Sequence, residues 1–504
     1  MIEFRISARP LSCNPIWQAE PSHASATLRQ LSHPSDQNLP IRSTAREVPG
    51  LKLSAQIGYA LAEVGQNLVE TLIRIYLLIY YTDIVGLDAW LAGLAFAISL
   101  VWDACIDPCM GTLSDRTLHR FGGRRGYIPV GAGILAVGLL AVFDPPIIVT
   151  QVGKFGWLLF SACLLGSGMT VLSVPYMAMG GEITENPHER AALFGWRFAF
   201  ANVGAVLAAA LPTVFLQPGE SNAVVLKSVS HVAAMIVVVT AAISWWATRN
   251  MPSNKRSAAK TGFVDSALQP FRNPSFRPLI AVYVVATVGI GINSATALYY
   301  YQYRLGLDER QIQGLLVVFI LVFTASILAW VKIARKFGKR RPMAIGSLLL
   351  GVGTTCLYLF APPGNFILPL IGGGVILGSL VGCVVLIDTL LTDVIDHDQV
   401  HSRQVRSGMY FGVWRFASKL ARAIAIGVAG LLLSTSGFVP NQRQSESVDQ
   451  VLIILFGPGV GLFFVIAAIQ VWLYKFDENK QVQVRRILDR RMKRLTARSI
   501  TDLL

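Results

Sequence analysis

Two stretches decide the fold. Tyr80-Tyr81-Thr82-Asp83-Ile84-Val85-Gly86-Leu87-Asp88 and Tyr300-Tyr301-Gln302-Tyr303-Arg304-Leu305-Gly306-Leu307-Asp308 match at an offset of 220 residues, and each closes a long apolar run. Further pairs recur at nearly the same spacing. Phe121-Gly122-Gly123-Arg124-Arg125 answers to Phe337-Gly338-Lys339-Arg340-Arg341 at 216, and Trp196-Arg197-Phe198-Ala199 to Trp414-Arg415-Phe416-Ala417 at 218. Three matches at nearly one offset, all in the same chain direction, make the protein a unit followed by a copy in the same orientation.

The apolar runs around these motifs define the unit. Only 14% of the 504 residues are charged, against roughly 25% in soluble proteins, and 53% are hydrophobic. Such a chain cannot cover a water-exposed surface with polar groups, which excludes a disordered protein and argues against a soluble enzyme. About 20 consecutive apolar residues span a bilayer as a helix. Twelve such spans are placed at 53–81, 90–113, 127–148, 155–179, 190–215, 224–247, 276–301, 311–334, 343–361, 366–391, 406–433 and 450–474. The runs are too long for strands and lack period-two alternation, while lipid demands that each span satisfy its own backbone. The expected fold is an all-α polytopic membrane protein, with two parallel six-helix halves of the major facilitator layout. The expected segments are a cytoplasmic leader 1–50, a first half 51–248, a linker 249–275, a second half 276–475 and a basic tail 476–504.

The net charge of +15 is topological. Arg116, Arg120, Arg124 and Arg125 follow span 2, and Arg335, Lys336, Lys339, Arg340 and Arg341 follow span 8, whereas the loops after spans 1 and 9 have no Lys or Arg. Lys and Arg collect on the cytoplasmic side, so both termini are expected there and a nucleic-acid partner is not. The tail places Val484, Ile487, Leu488, Met492 and Leu495 on one basic amphipathic face, which suits either anionic headgroups or plain solvation. The six cysteines form no CxxC and have no nearby His, and read as small packing residues. No HExxH or GxSxG motif and no metal cluster supports an enzyme.

Charges inside the spans mark the site. A carboxylate at mid-bilayer costs about 2.5–3.5 kcal/mol on insertion scales, so it is paired or functional. Glu63, Asn67, Glu70 and Arg74 lie on one face of span 1, the face expected to line a central cavity. Asp103 and Asp107 lie one turn apart on span 2, and two like charges there require a cation, a shared proton or a basic partner. Span 11 offers Arg415, Lys419 and Arg422 on one face, and span 5 offers Arg197.

At these residues the sequence resembles the glycoside–pentoside–hexuronide:cation symporters, the melibiose permease family. The resemblance runs from about Gly58 to Tyr474. Its landmarks include Trp102-Asp103-Ala104-Cys105-Ile106-Asp107-Pro108, Ser114-Asp115-Arg116-Thr117, Val174-Pro175-Tyr176, Gly181-Glu182-Ile183-Thr184, and Thr392-Asp393-Val394-Ile395-Asp396-His397-Asp398. It implies that Asp103, Asp107 and Thr170 bind the coupling cation, Na⁺ or H⁺, and that Arg197 and Lys419 line the substrate cavity. Two positions depart: Asn67 and Ser173 stand where melibiose permease has sugar-binding carboxylates, and Met177 where an aromatic is expected. The resemblance therefore implies a cation machinery without the galactoside site. Glu63, Asn67, Glu70, Ser173, Arg197 and Lys419 are the expected substrate contacts. The expected protein is a monomeric secondary transporter of the inner or plasma membrane, without a cofactor. It carries a sugar or glycoside with the cation; a lysolipid or other amphiphile is the alternative.

Overall fold

In the computed structural model, residues 51–116, 123–184, 187–215, 222–249, 269–402 and 407–474, together with residue 484, are described. The expected leader, most of the linker and nearly all of the basic tail lie outside these residues, as does the amphipathic face expected in the tail. The described chain is a bundle of long helices. The first half comprises α1 (Leu53–Ala60 and Ala62–Ile79, with a π-helical turn Tyr80–Ile84), α2 (Ala89–Arg116), α3 (Tyr127–Phe143), α4 (Gln151–Glu182), α5 (Pro187–Phe215) and α6 (Asn222–Thr248). The second comprises α7 (Phe276–Tyr299, with a π-helical turn Tyr300–Arg304), α8 (Glu309–Phe337), α9 (Arg340–Phe360), α10 (Pro369–Leu377 through Leu386–Ser402), α11 (Ser407–Thr435) and α12 (Glu446–Ile454 through Val460–Leu473).

Among the described residues, eleven helical stretches are long and apolar enough to cross a membrane. The exception is α1, whose Glu63, Glu70 and Arg74 interrupt its apolar character. Two expected boundaries move. The third span ends at Phe143 and not at 148, because Asp144 precedes Pro145-Pro146 and a residue before proline is driven out of the helical region. The tenth runs on to Ser402, since the helix outlasts its apolar stretch and continues through Thr392-Asp393-Val394.

The repeat is visible in the backbone. Val85 N–H donates to Tyr80 O and Leu87 N–H to Tyr81 O; Leu305 N–H donates to Tyr300 O and Leu307 N–H to Tyr301 O. Gly86 and Gly306 each hold a positive φ, 71° and 65°, that ends the helix. The ends of α1 and α7 meet: Thr82 Oγ1 lies 2.7 Å from Tyr299 OH, and the Tyr303 hydroxyl donates to Asp83. The halves are thus parallel. They also pack through α2 against α11 and α5 against α8, the two pairings that a pseudo-two-fold axis interchanges.

The α2–α11 seam is closed by two glycines. A Cβ on Gly430 would stand 2.5 Å from the carbonyl oxygen of Ala89 and 3.1 Å from the Cα of Gly93. Small residues let helix backbones approach in lipid, where packing substitutes for the hydrophobic drive. The same end is latched by Asn441, whose Nδ2 donates to Asp83 O (2.7 Å) and whose N–H donates to Tyr303 OH (3.0 Å). Replacing Gly430→Val should pry this seam and destabilise the protein by about 1–3 kcal/mol, read as a lowered unfolding midpoint in detergent; an unchanged midpoint would mean the seam is not close-packed.

The cysteine expectation is corrected. Among the described cysteines Cys383 alone is buried; Cys105, Cys109 and Cys356 are exposed on the bundle surface. Next to lipid an apolar thiol needs no core to shelter it.

Candidate functional site

A cavity of about 400 Å³ opens between the halves. It is lined by Glu63, Asn67, Glu70, Ser173, Arg197 and Lys419, all the expected substrate contacts, and also by Asp103 and Thr170. The span 1 stripe faces inward because lipid rejects it and the helix period of 3.6 keeps its members on one face.

Three elements build the carboxylate knot. α2 presents Asp103 and Asp107 one turn apart. α4 presents Thr170, with Gly166 one turn before it; a Cβ on Gly166 would lie 3.3 Å from the Cβ of Asp103, so the small residue admits the aspartate. The Thr170 hydroxyl bonds both carboxylates, contacting Oδ1 of Asp103 and lying 2.8 Å from Oδ1 of Asp107. α11 presents Lys419, whose ammonium reaches Oδ2 of Asp103 at 2.8 Å and Oδ2 of Asp107 at 2.5 Å. The sequence left a cation and a basic partner as alternatives for this pair; Lys419 supplies the basic partner. Its single charge faces two carboxylates, and the one hydroxyl proton of Thr170 faces two oxygens. With both aspartates ionised, the knot is therefore one positive charge short of balance. Its donors are hard oxygens with neither nitrogen nor sulfur among them, a set that suits a proton or an alkali cation.

A second cluster sits deeper in the first half. The Arg197 guanidinium donates from Nε (2.7 Å) and Nη2 to Oε1 of Glu63, while Asn67 Nδ2 donates to Oε2 at 3.1 Å. Both Glu63 oxygens are engaged, one by Arg197 and the other by Asn67, at the wall of the cavity. The guanidinium lies over the Tyr176 ring at 4.7 Å. Tyr176 and Tyr59 stack at 4.5 Å and exchange hydroxyl-to-carbonyl bonds of 2.9 and 2.8 Å. Arg197 Nη1 is buried without a hydrogen-bond partner.

The third cluster crosses the halves. Oε1 of Glu70 accepts from Arg74 and from Arg422, each at 2.8 Å. Arg422 thereby joins α11 to α1. These groups are partly exposed to the cavity, where water screens them. A further contact, Thr324 Oγ1 to Asn202 Oδ1 at 3.0 Å, joins α8 to α5.

Sequence reasoning missed Tyr283. It lines the cavity and stacks on Trp414 at 3.8 Å, and Asp388 fixes that indole by accepting from its Nε1 at 2.9 Å. The signal was present: the offset of 220 carries Glu63 onto Tyr283.

Parallel six-helix halves around a charged cavity define a secondary transporter of the major facilitator superfamily, an integral multi-pass membrane protein. The chain belongs to the family of MFS/sugar transport proteins, whose model matches residues 58–478. It is 26% identical to the uncharacterized symporter YnaJ of Bacillus subtilis (strain 168), over 89% of this chain and 97% of that one. It is also 26% identical to the isoprimeverose transporter of Lactiplantibacillus pentosus, over 84% and 89%. A crystal structure of a bacterial homolog of the human lysosomal transporter Spinster, inward-facing and unoccupied, shares the fold with a TM-score of 0.60 at 15% identity, covering 84% of this chain and 98% of that one. Family and relatives make the chain a carrier that moves small polar solutes by symport, and not an enzyme.

The buried Glu63–Arg197 pair yields a stability test. Removing one member of a buried ion pair strands the other and typically costs about 3–5 kcal/mol. Glu63→Gln and Arg197→Gln should each lower the unfolding midpoint sharply, and Glu63→Leu combined with Arg197→Met should recover most of it. Single variants as stable as the parent protein would show that the pair is not held out of water.

Proposed function

We propose that the protein is a sugar symporter of the glycoside–pentoside–hexuronide:cation type, driven by Na⁺ or H⁺ at the cytoplasmic membrane. The observation that supports it most is the carboxylate knot: Asp103 and Asp107, bridged by one Thr170 hydroxyl and one Lys419 ammonium, at the wall of the cavity between the halves. A monovalent cation supplies the missing charge, with Asp103, Asp107 and Thr170 as its ligands. The sugar reading is supported by the family and by a relative named for a glycoside. The cavity wall also favours it: Gln66, Asn67, Ser173 and Glu70 offer amides, a hydroxyl and a carboxylate oxygen to sugar hydroxyls.

The coupling follows from competition. Lys419 belongs to the second half and the aspartates to the first, so the knot is also a bond between halves. The cation and the Lys419 ammonium compete for the same carboxylates, and binding of the cation loosens the ammonium from α2. The halves are then free to rock around the substrate. Under the rule that Lys and Arg collect in the cytoplasm, the end closed by Thr82, Asp83, Tyr299, Tyr303 and Asn441 faces outward. The described geometry is then the inward-open state from which cation and sugar leave.

Asp103→Asn and Asp107→Asn should fold yet fail to accumulate sugar against a gradient, while sugar exchange across vesicles survives. Lys419→Gln leaves both carboxylates without their ammonium and should bind the cation more tightly while losing uphill transport. Uptake into proteoliposomes, driven separately by a Na⁺ and a proton gradient, reads these outcomes and identifies the ion. Wild-type accumulation in both aspartate variants would refute the coupling role.

A further inference from the structure

We propose that the protein carries a second ligand site at the closed end of the bundle, and that this site takes a small organic ammonium ion with an apolar body, held between the two halves. The site goes beyond the sugar symport reading and shares no wall residue with the cavity on which that reading rests.

A cavity of about 350 Å³ lies there, within the range of roughly 300–1,000 Å³ typical of small-ligand pockets. Helices α1 and α6 of the first half give it Tyr76, Asp83 and Asn222; α7 and α8 of the second give it Gln302, Glu309 and Gln313. The rest of its wall is mainly aliphatic, with Ile79, Leu226, Leu298 and Ile312 among its members. The two carboxylates have no Lys or Arg beside them on this wall, and neither forms an ion pair among the described residues. Arg304 and Arg310, close to Glu309 in the chain, are not wall residues. Among the described side chains Asp83 is met by hydroxyls alone, those of Thr82 and Tyr303, and the Glu309 carboxylate by none.

Two buried atoms point to an occupant independently. Tyr76 and Gln313 are 6% and 7% exposed, and the Tyr76 hydroxyl and Gln313 Oε1 have no hydrogen-bond partner among the described residues. A buried polar atom left unpaired is costly, and these two belong to opposite halves. An ammonium supplies what the wall lacks: positive charge for Asp83 and Glu309, and N–H donors for Oε1 of Gln313 and the oxygen of Tyr76. The aliphatic side chains take an apolar body. An anion would meet two like charges, and a bare alkali ion would leave the apolar space empty. Because the wall comes from both halves, the occupant is held best while this end stays closed, and its binding shifts the carrier toward the state described above.

The test uses the full-length protein in detergent, with phenethylamine, a cation at neutral pH, as the probe and phenethyl alcohol as its neutral counterpart. Calorimetry should show the amine binding about tenfold or more tightly than the alcohol, the scale set by charge-assisted bonds. Glu309→Gln should cut that ratio several-fold. Tyr76→Phe in the first half and Gln313→Leu in the second should each weaken amine binding, while Asp107→Asn, in the central cavity, should leave it in place. Unfolding midpoints establish that the variants are folded. With the amine saturating, spin labels at Pro146→Cys and Pro363→Cys, on the loops after α3 and α9 in a protein without its native cysteines, should report one short separation. The proposal is overturned if the amine does not bind, if the alcohol binds as well, or if the ratio is unmoved in Glu309→Gln. Binding lost in Asp107→Asn instead, or a population with the two loops apart, overturns it equally. None of these outcomes involves a sugar, so the symport reading stands or falls separately.

Discussion

Ionised groups in a bilayer must be matched with partners, and that one constraint arranges most of this molecule. An unmatched charge at mid-membrane costs about 2.5–3.5 kcal/mol even on the lenient insertion scales. The helix faces bearing Glu63, Glu70, Asp103 and Asp107 therefore turn inward, and basic residues on α1, α5 and α11 meet them there. Because Lys419, the base that meets Asp103 and Asp107, and Arg422, one of the two that meet Glu70, come from the opposite half, matching the charges also ties the halves together. A carrier built this way stores its conformational control in the same bonds that make its spans tolerable in lipid.

Those bonds are not equivalent. Glu63 and Arg197 lie within one half, are nearly withdrawn from solvent and are clamped by Tyr59 and Tyr176, so they act as a fixed staple. The Lys419 knot joins halves that must separate, and it is short of positive charge. An interaction that is incompletely satisfied and spans a moving seam is suited to exchange one partner for another. The closed end works differently: it depends on close glycine packing and hydroxyl contacts, with no ion pair across it among the described residues.

The duplicated halves carry different loads. The backbone turn after α1 recurs after α7 down to single hydrogen bonds, yet the side chains lining the cavity have diverged. The aspartate pair and its threonine lie in the first half; the lysine that reads their charge state lies in the second. Tyr283 takes the place of Glu63, and Arg415 is left facing the cavity. A shared scaffold with unlike linings gives one half to the ion and leaves more of the other to the substrate.

The number of spans, their parallel duplication and the inward stripe of α1 were legible in the sequence, since each depends on local periodicity or on apolar length. So was the choice of Asp103 and Asp107, since two carboxylates one turn apart in an apolar helix are anomalous before any fold is known. What remained open was the partner of each charge. Asp103 and Asp107 could have been met by a cation, a shared proton or a base, and the basic face of span 11 had no assigned partner. Those outcomes depend on which helices touch across hundreds of residues: Lys419 finds Asp107 and Arg422 finds Glu70 only because α11 packs against the first half. Periodicity places a side chain on a face of its own helix. Only the packed bundle decides what that face meets, because the pairing energy belongs to distances between helices and these are not encoded in any one stretch of chain.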